Sequence, residues 1–302
     1  MNRKLKITLA AAAITAAFAA ACFLLSPVKG RAAADSSSPA NAASKSGKSV
    51  CVPILMYHEV KPTGAGKDAI TPWEFESDLE YLRRSGFTTV TMADLINFSK
   101  RGVALPAKPV VLSFDDGYYS NYVYVYPLLK KYGARMVLSI IGKNTDDFTE
   151  IPSDNINYSH VNWTQLNELI SSGLVEVQNH TYDLHSISGG RVGCAKKRSE
   201  SAEQYAGMLT NDLTRLQDEI KTMTGTVPNT FTYPYGKVSR ESVSVIKKLG
   251  FQASLTCDYG VNLISSDPET LYGLKRICRV HGVGAEKSIS GAMKTLKYRT
   301  KK

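Results

Sequence analysis

From residue 51 onward the chain alternates short apolar runs with amphipathic stretches, the rhythm of an α/β protein built on parallel strands. Residues 52–56, 88–91, 136–141, 174–177, 230–232 and 252–256 read as strands. The run from Pro109 to Phe114 is apolar and β-branched without alternation, which predicts a strand buried on both faces. Thr71-Pro72 predicts the start of a helix whose apolar face carries Trp73, Phe75, Leu79 and Leu82 and which stops at Gly86. Helices are also predicted over residues 92–98, 118–132, 162–172, 201–223 and 239–249, and residues 186–200 read as a Gly-, Ser- and Lys-rich loop. The alternation points to a single parallel sheet or barrel, with no internal repeat and no second domain boundary after residue 50.

The first 50 residues break this pattern. Asn2-Arg3-Lys4-Leu5-Lys6 is a basic start, residues 7–25 are an uncharged apolar run of 19, and Ala32-Ala33-Ala34 offers a small-residue cleavage site. Residues 1–34 therefore read as a signal peptide or an uncleaved N-terminal membrane anchor, since 19 residues also approach a membrane span. Residues 35–50, mostly Ser, Ala, Asn and Lys, read as a flexible linker, and residues 51–302 as the catalytic domain. Export follows from either N-terminal reading, to the outside of the cell or to the outer face of the cytoplasmic membrane. Half of the net charge of +10 lies in Arg3, Lys4, Lys6, Lys29 and Arg31. A second basic cluster, at Lys294, Lys297, Arg299, Lys301 and Lys302, reads as a solvated tail or as a weak attraction to an anionic cell wall or membrane surface. Nothing in the sequence is a nucleic-acid recognition motif. Beyond Cys22 there are four cysteines (Cys51, Cys194, Cys257 and Cys278), none with the spacing of a structural zinc site.

The candidate chemistry sits where predicted strands end. Asp115-Asp116-Gly117 follows the buried run directly, and strand C-terminal ends are where α/β folds gather ligands. Adjacent carboxylates repel, so holding both ionised in a cleft calls for a cation, although Asp-Asp-Gly alone also reads as a surface turn. His180 and His185 follow another predicted strand at a spacing of five, which suits a strand end plus a turn and not one face of a helix. Two histidines with one carboxylate form a common divalent-metal set that leaves positions open. Asp116, His180 and His185 are thus candidate ligands, and Asp115 is left to abstract a proton. His58 also emerges at a strand end, either as a core histidine bonded to backbone or as an acid for a leaving group. The bend at Tyr233-Pro234-Tyr235-Gly236 either presents backbone N–H groups to an oxyanion or is an aromatic turn.

These motifs resemble those of the polysaccharide deacetylases of the NodB-homology fold, carbohydrate esterase family four. Ser113-Phe114-Asp115-Asp116-Gly117 is similar to that family's metal-binding strand end. The His180-Thr181-Tyr182-Asp183-Leu184-His185 spacing, the opening Leu55-Met56-Tyr57-His58 and the Tyr233–Gly236 turn resemble the poly-N-acetylglucosamine deacetylase branch. The resemblance implies a distorted (β/α) barrel of about seven strands. It also implies metal-dependent hydrolysis of N-acetyl groups on an amino-sugar polymer, whether poly-N-acetylglucosamine, peptidoglycan or chitin-like. Carried onto this chain, it makes Asp115 the general base, with Asp116, His180 and His185 holding the metal. His58 becomes the acid, and Tyr235 with Tyr233 lines the oxyanion and substrate site. Zn²⁺ suits that donor set, and Co²⁺ or Ni²⁺ also fits. Tyr233 stands where other members carry an arginine that holds the base, which leaves the partner of Asp115 open. His281 is an alternative acid, and His160 reads as structural. The competing readings are an O-acetyl carbohydrate esterase and a catalytically silent glycan-binding protein.

Overall fold

Seven parallel strands close on themselves in chain order. They are β1 (Ile54–Tyr57), β2 (Pro109–Phe114), β3 (Met136–Ile140), β4 (Val175–Asn179), β5 (Thr230–Thr232), β6 (Ala253–Tyr259) and β7 (Leu274–Cys278). Each pairs with the next, and β7 returns to β1 through Ile277–Leu55 and Cys278–Met56. The computed structural model describes residues 49–63 and 66–299. The predicted export segment, nearly all of the linker and the extreme C-terminus lie outside these residues, and so does the apolar run of residues 7–25. Among the described residues no helix is long and apolar enough to cross a membrane.

Period-two alternation sorts each strand's side chains between two environments. Leu55, Tyr57, Leu112, Phe114, Leu138 and Ile140 pack outward with the helices α1 (Pro72–Arg84), α3 (Tyr126–Tyr132) and α5 (Trp163–Ser171). The intervening positions fill the barrel. Ile54, Val111, Val137 and Leu255 form its apolar floor, while Ser113, Ser139, Thr232 and Arg276, all buried, make a polar layer toward the strand C-termini. The Ser139 and Thr232 hydroxyls bond across that layer at 2.7 Å.

The seam between β4 and β5 is the distortion. It holds a single register pair, Phe231 with Asn179. The Gln178 side chain compensates, its Oε1 accepting from the backbone N–H groups of Asn229 and Thr230 at 2.9 and 2.8 Å. A buried backbone donor left unpaired would cost about 1–3 kcal/mol, so this bridge holds the seam closed beneath the histidine motif.

Several expectations change in detail. Trp73 is 77% exposed and outside the core, because two residues before Phe75 it lies about 200° around α1 from the buried face. The predicted helix over residues 118–132 begins as a π-helical turn, Asn121–Val125, before continuing as α3. Helices α2 (Met92–Arg101), α6 (Ala202–Thr224) and α7 (Arg240–Lys248) form as expected. The predicted loop at 186–200 contains a two-stranded hairpin, Ile187–Ser188 with Arg191–Val192. Strand β7 and helices α4 (Gly142–Glu150) and α8 (Ala285–Arg299) had no counterpart in the sequence pattern. All four described cysteines are free thiols.

A buried ion pair locks α8 and α1 onto β1. Arg279, 2% exposed, donates through Nε to Asp78 Oδ2 at 2.6 Å. Asp78 also accepts from the Tyr57 hydroxyl at 3.2 Å and, through Oδ1, from the Ala285 N–H at the start of α8 at 2.7 Å. Tyr57 stacks on Phe114 with centroids 4.8 Å apart, so this network fixes the ends of β1 and β2 together. Replacing Asp78 by Ala strands a buried guanidinium and is expected to lower unfolding free energy by about 3–5 kcal/mol in urea titration. A loss below about 1 kcal/mol would mean that the pair does not hold the C-terminal helix.

Candidate active site

At the C-terminal end of the barrel a cleft of about 660 Å³ is lined by His58, Glu59, Asp68, Asp115, Asp116, Tyr118, His180, His185, Tyr235 and Cys257, among others. Parity explains much of this convergence. His58 continues the inward series of Ile54, and Asp115 that of Val111 and Ser113, while His180 lies two positions beyond Gln178. Each is therefore delivered to the mouth of the barrel by its own strand.

Asp116 breaks parity through its backbone. Its φ of 70° is left-handed, and among the described residues two other non-glycine residues share that conformation, Thr181 at 76°, next to His180, and Tyr235 at 55°. Such residues cost about 1–3 kcal/mol each and persist only when their surroundings hold them. The Asp116 carbonyl is met by His160 Nδ1 at 3.0 Å, and the Gly117 carbonyl accepts from Val161 at 2.8 Å. The Thr181 N–H donates to Asn179 Oδ1 at 2.9 Å and its carbonyl accepts from Gly142. Tyr235 is pinned between Pro234 and Gly236, and a Cβ on Gly236 would lie 2.6 Å from Cys257.

The turned carboxylate faces both motif histidines. Asp116 Oδ1 lies 3.5 Å from His180 Nε2 and 3.3 Å from His185 Nε2. These three residues are a group among the described residues whose donor atoms all lie within 4.8 Å of one another. Asp116 Oδ1 is buried with no hydrogen-bond partner in the protein, which is the state of an oxygen shaped for a cation. His180 Nδ1 bonds the Thr232 carbonyl at 2.7 Å, fixing the tautomer that leaves Nε2 free to ligate. Burial would raise the Asp116 pKa, but the adjacent His180 and His185 imidazoles hold it well below the usual carboxylate range. Burial lowers His185, with His180 adding to the effect, and so favours the neutral imidazole that a metal needs. The donor set fits a divalent ion with nitrogen and oxygen ligands.

Asp115 has a different partner. Arg276 Nη1 donates to its Oδ1 at 2.7 Å and to Ser113 Oγ at 3.0 Å, while Nε donates to the Thr256 carbonyl at 2.7 Å. Arg276 is 1% exposed and rises from β7 inside the barrel. Burial pushes Asp115 up, and the guanidinium together with the nearby His180 and His58 rings more than offsets this, keeping the carboxyl below its ordinary range. The orienting residue missing from the Tyr233 position is therefore supplied from a strand near the C-terminus. Its position two residues beyond Leu274 sets it on the inward face of that strand.

Two expected site residues are placed elsewhere. Tyr233 shares the outward face of Phe231 and is buried among Tyr205, Leu209 and Ile246, its hydroxyl 2.9 Å from Ser242. It does not line the cleft, because period two carries it away from the barrel axis. His281 is half exposed, does not line the cleft, and its Nδ1 lies 2.8 Å from Glu74 Oε2. Burial raises Glu74, but hydrogen bonds from the Thr71 and Gly282 N–H groups bring it down to about 2. His160 lies behind the site, stacked on Tyr118 at 4.8 Å. The basic segment at 191–198 is tied down in part by Arg191, which pairs with Glu200. Tyr118 and Cys257 line the cleft without having been singled out.

Comparison with known proteins adds one finding to this geometry. Residues 102–254 match the family described as polysaccharide deacetylase. The chain belongs to that family. The poly-beta-1,6-N-acetyl-D-glucosamine N-deacetylase of Escherichia coli strain K12 is 27% identical over 68% of this chain, which spans only 34% of that relative's length. The Staphylococcus aureus protein of the same name is 26% identical, with 61% of this chain and 59% of the relative covered. Among solved structures, a de-N-acetylase from Aggregatibacter actinomycetemcomitans superposes with a TM-score of 0.67 at 27% identity, covering 79% of this chain and 98% of the other. This polysaccharide deacetylase family member thus shares its barrel fold with that solved structure.

Replacing Arg276 by Met leaves a buried carboxylate unpaired and free to turn. Turnover is expected to fall by about 10²-fold or more, with metal content, measured by plasma emission, unchanged. Undiminished turnover would show that Asp115 needs no guanidinium.

Proposed function

We propose that this chain is a divalent-metal-dependent N-deacetylase acting on a poly-N-acetylglucosamine-type polymer. The observation that carries the reading is one cleft holding two carboxylates with separate partners, Asp116 facing His180 and His185, and Asp115 held by Arg276. The named activities of the relatives support the acetamide substrate. Zinc is the proposed ion, since two imidazoles and one carboxylate with open positions suit it. Export, with residues 1–34 as leader or anchor, is part of the proposal and rests on their basic and apolar pattern.

When bound, such an ion supplies Lewis acidity, lowering the pKa of water and drawing charge from the acyl oxygen. Asp115 takes one proton from the attacking water as its oxygen bonds the acetyl carbon. The Tyr235 N–H stabilises the negative charge that develops on the carbonyl oxygen. His58 gives a proton from Nε2 to the sugar nitrogen as the C–N bond breaks, which releases acetate and a free amine. An ester would need the same attack but a weaker acid, and the amide names of the relatives favour the N-acetyl reading.

Purified protein supplied with Zn²⁺ is expected to release acetate and free amine in equal amounts from N-acetylglucosamine oligomers, and to lose this activity on chelation. Asp116→Ala and His185→Ala are expected to lose the metal. Asp115→Asn keeps it and loses turnover by about 10²–10⁴-fold. Metal loss in Asp115→Asn would reverse the division of labour. Assayed side by side on poly-N-acetylglucosamine, peptidoglycan and chitin oligomers, the first is expected to be turned over fastest. A preference for either of the others would move the substrate.

A further inference from the structure

The acid proposed above, His58, has an unexplained feature. Its Nδ1 is buried and unpaired within the protein. So is Oδ1 of Asn121, a residue with no exposed surface. The two residues are already joined, because Asn121 Nδ2 donates to the His58 carbonyl at 2.8 Å. Asn121 is the first residue of the π-helical turn Asn121–Val125, which begins four positions after Gly117. Such turns are rare, and they recur where a side chain must be re-aimed at a functional site. Two more buried hydroxyls in the same region, Ser120 Oγ and Ser159 Oγ, are also unpaired, and Tyr119 N–H donates to the Ser159 carbonyl at 2.8 Å. Buried polar groups are almost always satisfied, and a water with two to four polar partners is the usual means.

We propose that Asn121 is the positioning residue for His58. It holds the histidine backbone through Nδ2 and accepts the Nδ1 proton through Oδ1 by way of one shared water. The consequence is directional. With Nδ1–H engaged behind the ring, Nε2 of the imidazolium is aimed into the cleft, and it is Nε2 that hands its proton to the departing nitrogen, leaving the neutral Nδ1–H form. Among the described residues no carboxylate hydrogen-bonds His58 Nδ1, so the ring is oriented by a neutral amide. The proposal rests on the acid role of His58, and its test separates the two.

The test uses two substrates for the full-length zinc-loaded protein, an N-acetylglucosamine oligomer and 4-nitrophenyl acetate. The phenolate of the second leaves without a proton. Asn121→Ala is expected to reduce kcat on the amide at least about tenfold more than on the ester, with metal content unchanged. A merely structural defect would lower both alike, and equal losses would overturn the proposal. His58→Ala is the control: if it fails to discriminate between the substrates, the acid role itself is wrong. A second measurement needs no variant of Asn121. With only five histidines, ¹⁵N-histidine spectra resolve the neutral tautomer of His58 in the unmodified protein, assigned by its loss in His58→Ala. The Nδ1–H form is expected, and the Nε2–H form would overturn the role of Asn121 whatever the kinetics show.

Discussion

A guanidinium enclosed in a barrel is tolerable only if its charge is matched and its N–H groups are engaged. Arg276 meets both conditions with Asp115, Ser113, the Thr256 carbonyl and a longer contact to Cys257 Sγ at 3.6 Å. The pairing works in both directions. Arg276 needs an anion above it, so Asp115 stays ionised and fixed along the barrel axis. Asp115 in turn is kept from serving the neighbouring histidines, because one of its oxygens is committed downward. The polar upper layer of the barrel, which contributes little to the core, exists to make this arrangement possible.

Above that layer the backbone is under load. Asp116, Thr181 and Tyr235 each adopt a conformation that side chains avoid; Asp116 and Tyr235 line the cleft, and Thr181 follows His180, which does. Each is held by contacts from a different element: His160 on Asp116, the start of α4 on Thr181, and the glycine-tight turn against β6 on Tyr235. The strain is spread over three loops, so no single loop must bear it, and the rigid strands supply the opposing restraint.

The sequence carried most of the strands, the helix caps and the grouping of Asp116 with His180 and His185 because these are local. Asp115, Asp116, His180 and His185 each sit beside a strong strand or turn signal within a few residues. Arg276 was not legible for the opposite reason. Its partner lies 161 positions away, and Leu274-Lys275-Arg276-Ile277-Cys278 carries two cations that argue against a buried strand. Tyr233 was misplaced by attention to motif position, although its two-residue spacing from Phe231 already assigned it to the outward face. Trp73 was misplaced by counting apolar residues without counting turns. The π-turn at Asn121 has no local signature, since it depends on how the Gly117 loop and β1 meet.

The adjacent aspartates show how one backbone resolves like-charge repulsion. Two carboxylates side by side would raise each other's pKa unless each met its own positive charge. The strand aims the first along the barrel axis, onto a fixed guanidinium. The left-handed turn swings the second sideways, onto two imidazoles. The order of the jobs therefore follows from geometry and not from chemistry, since both side chains are identical. The residue that continues the strand's inward face meets the guanidinium, and the residue after it, in left-handed conformation, meets the imidazoles.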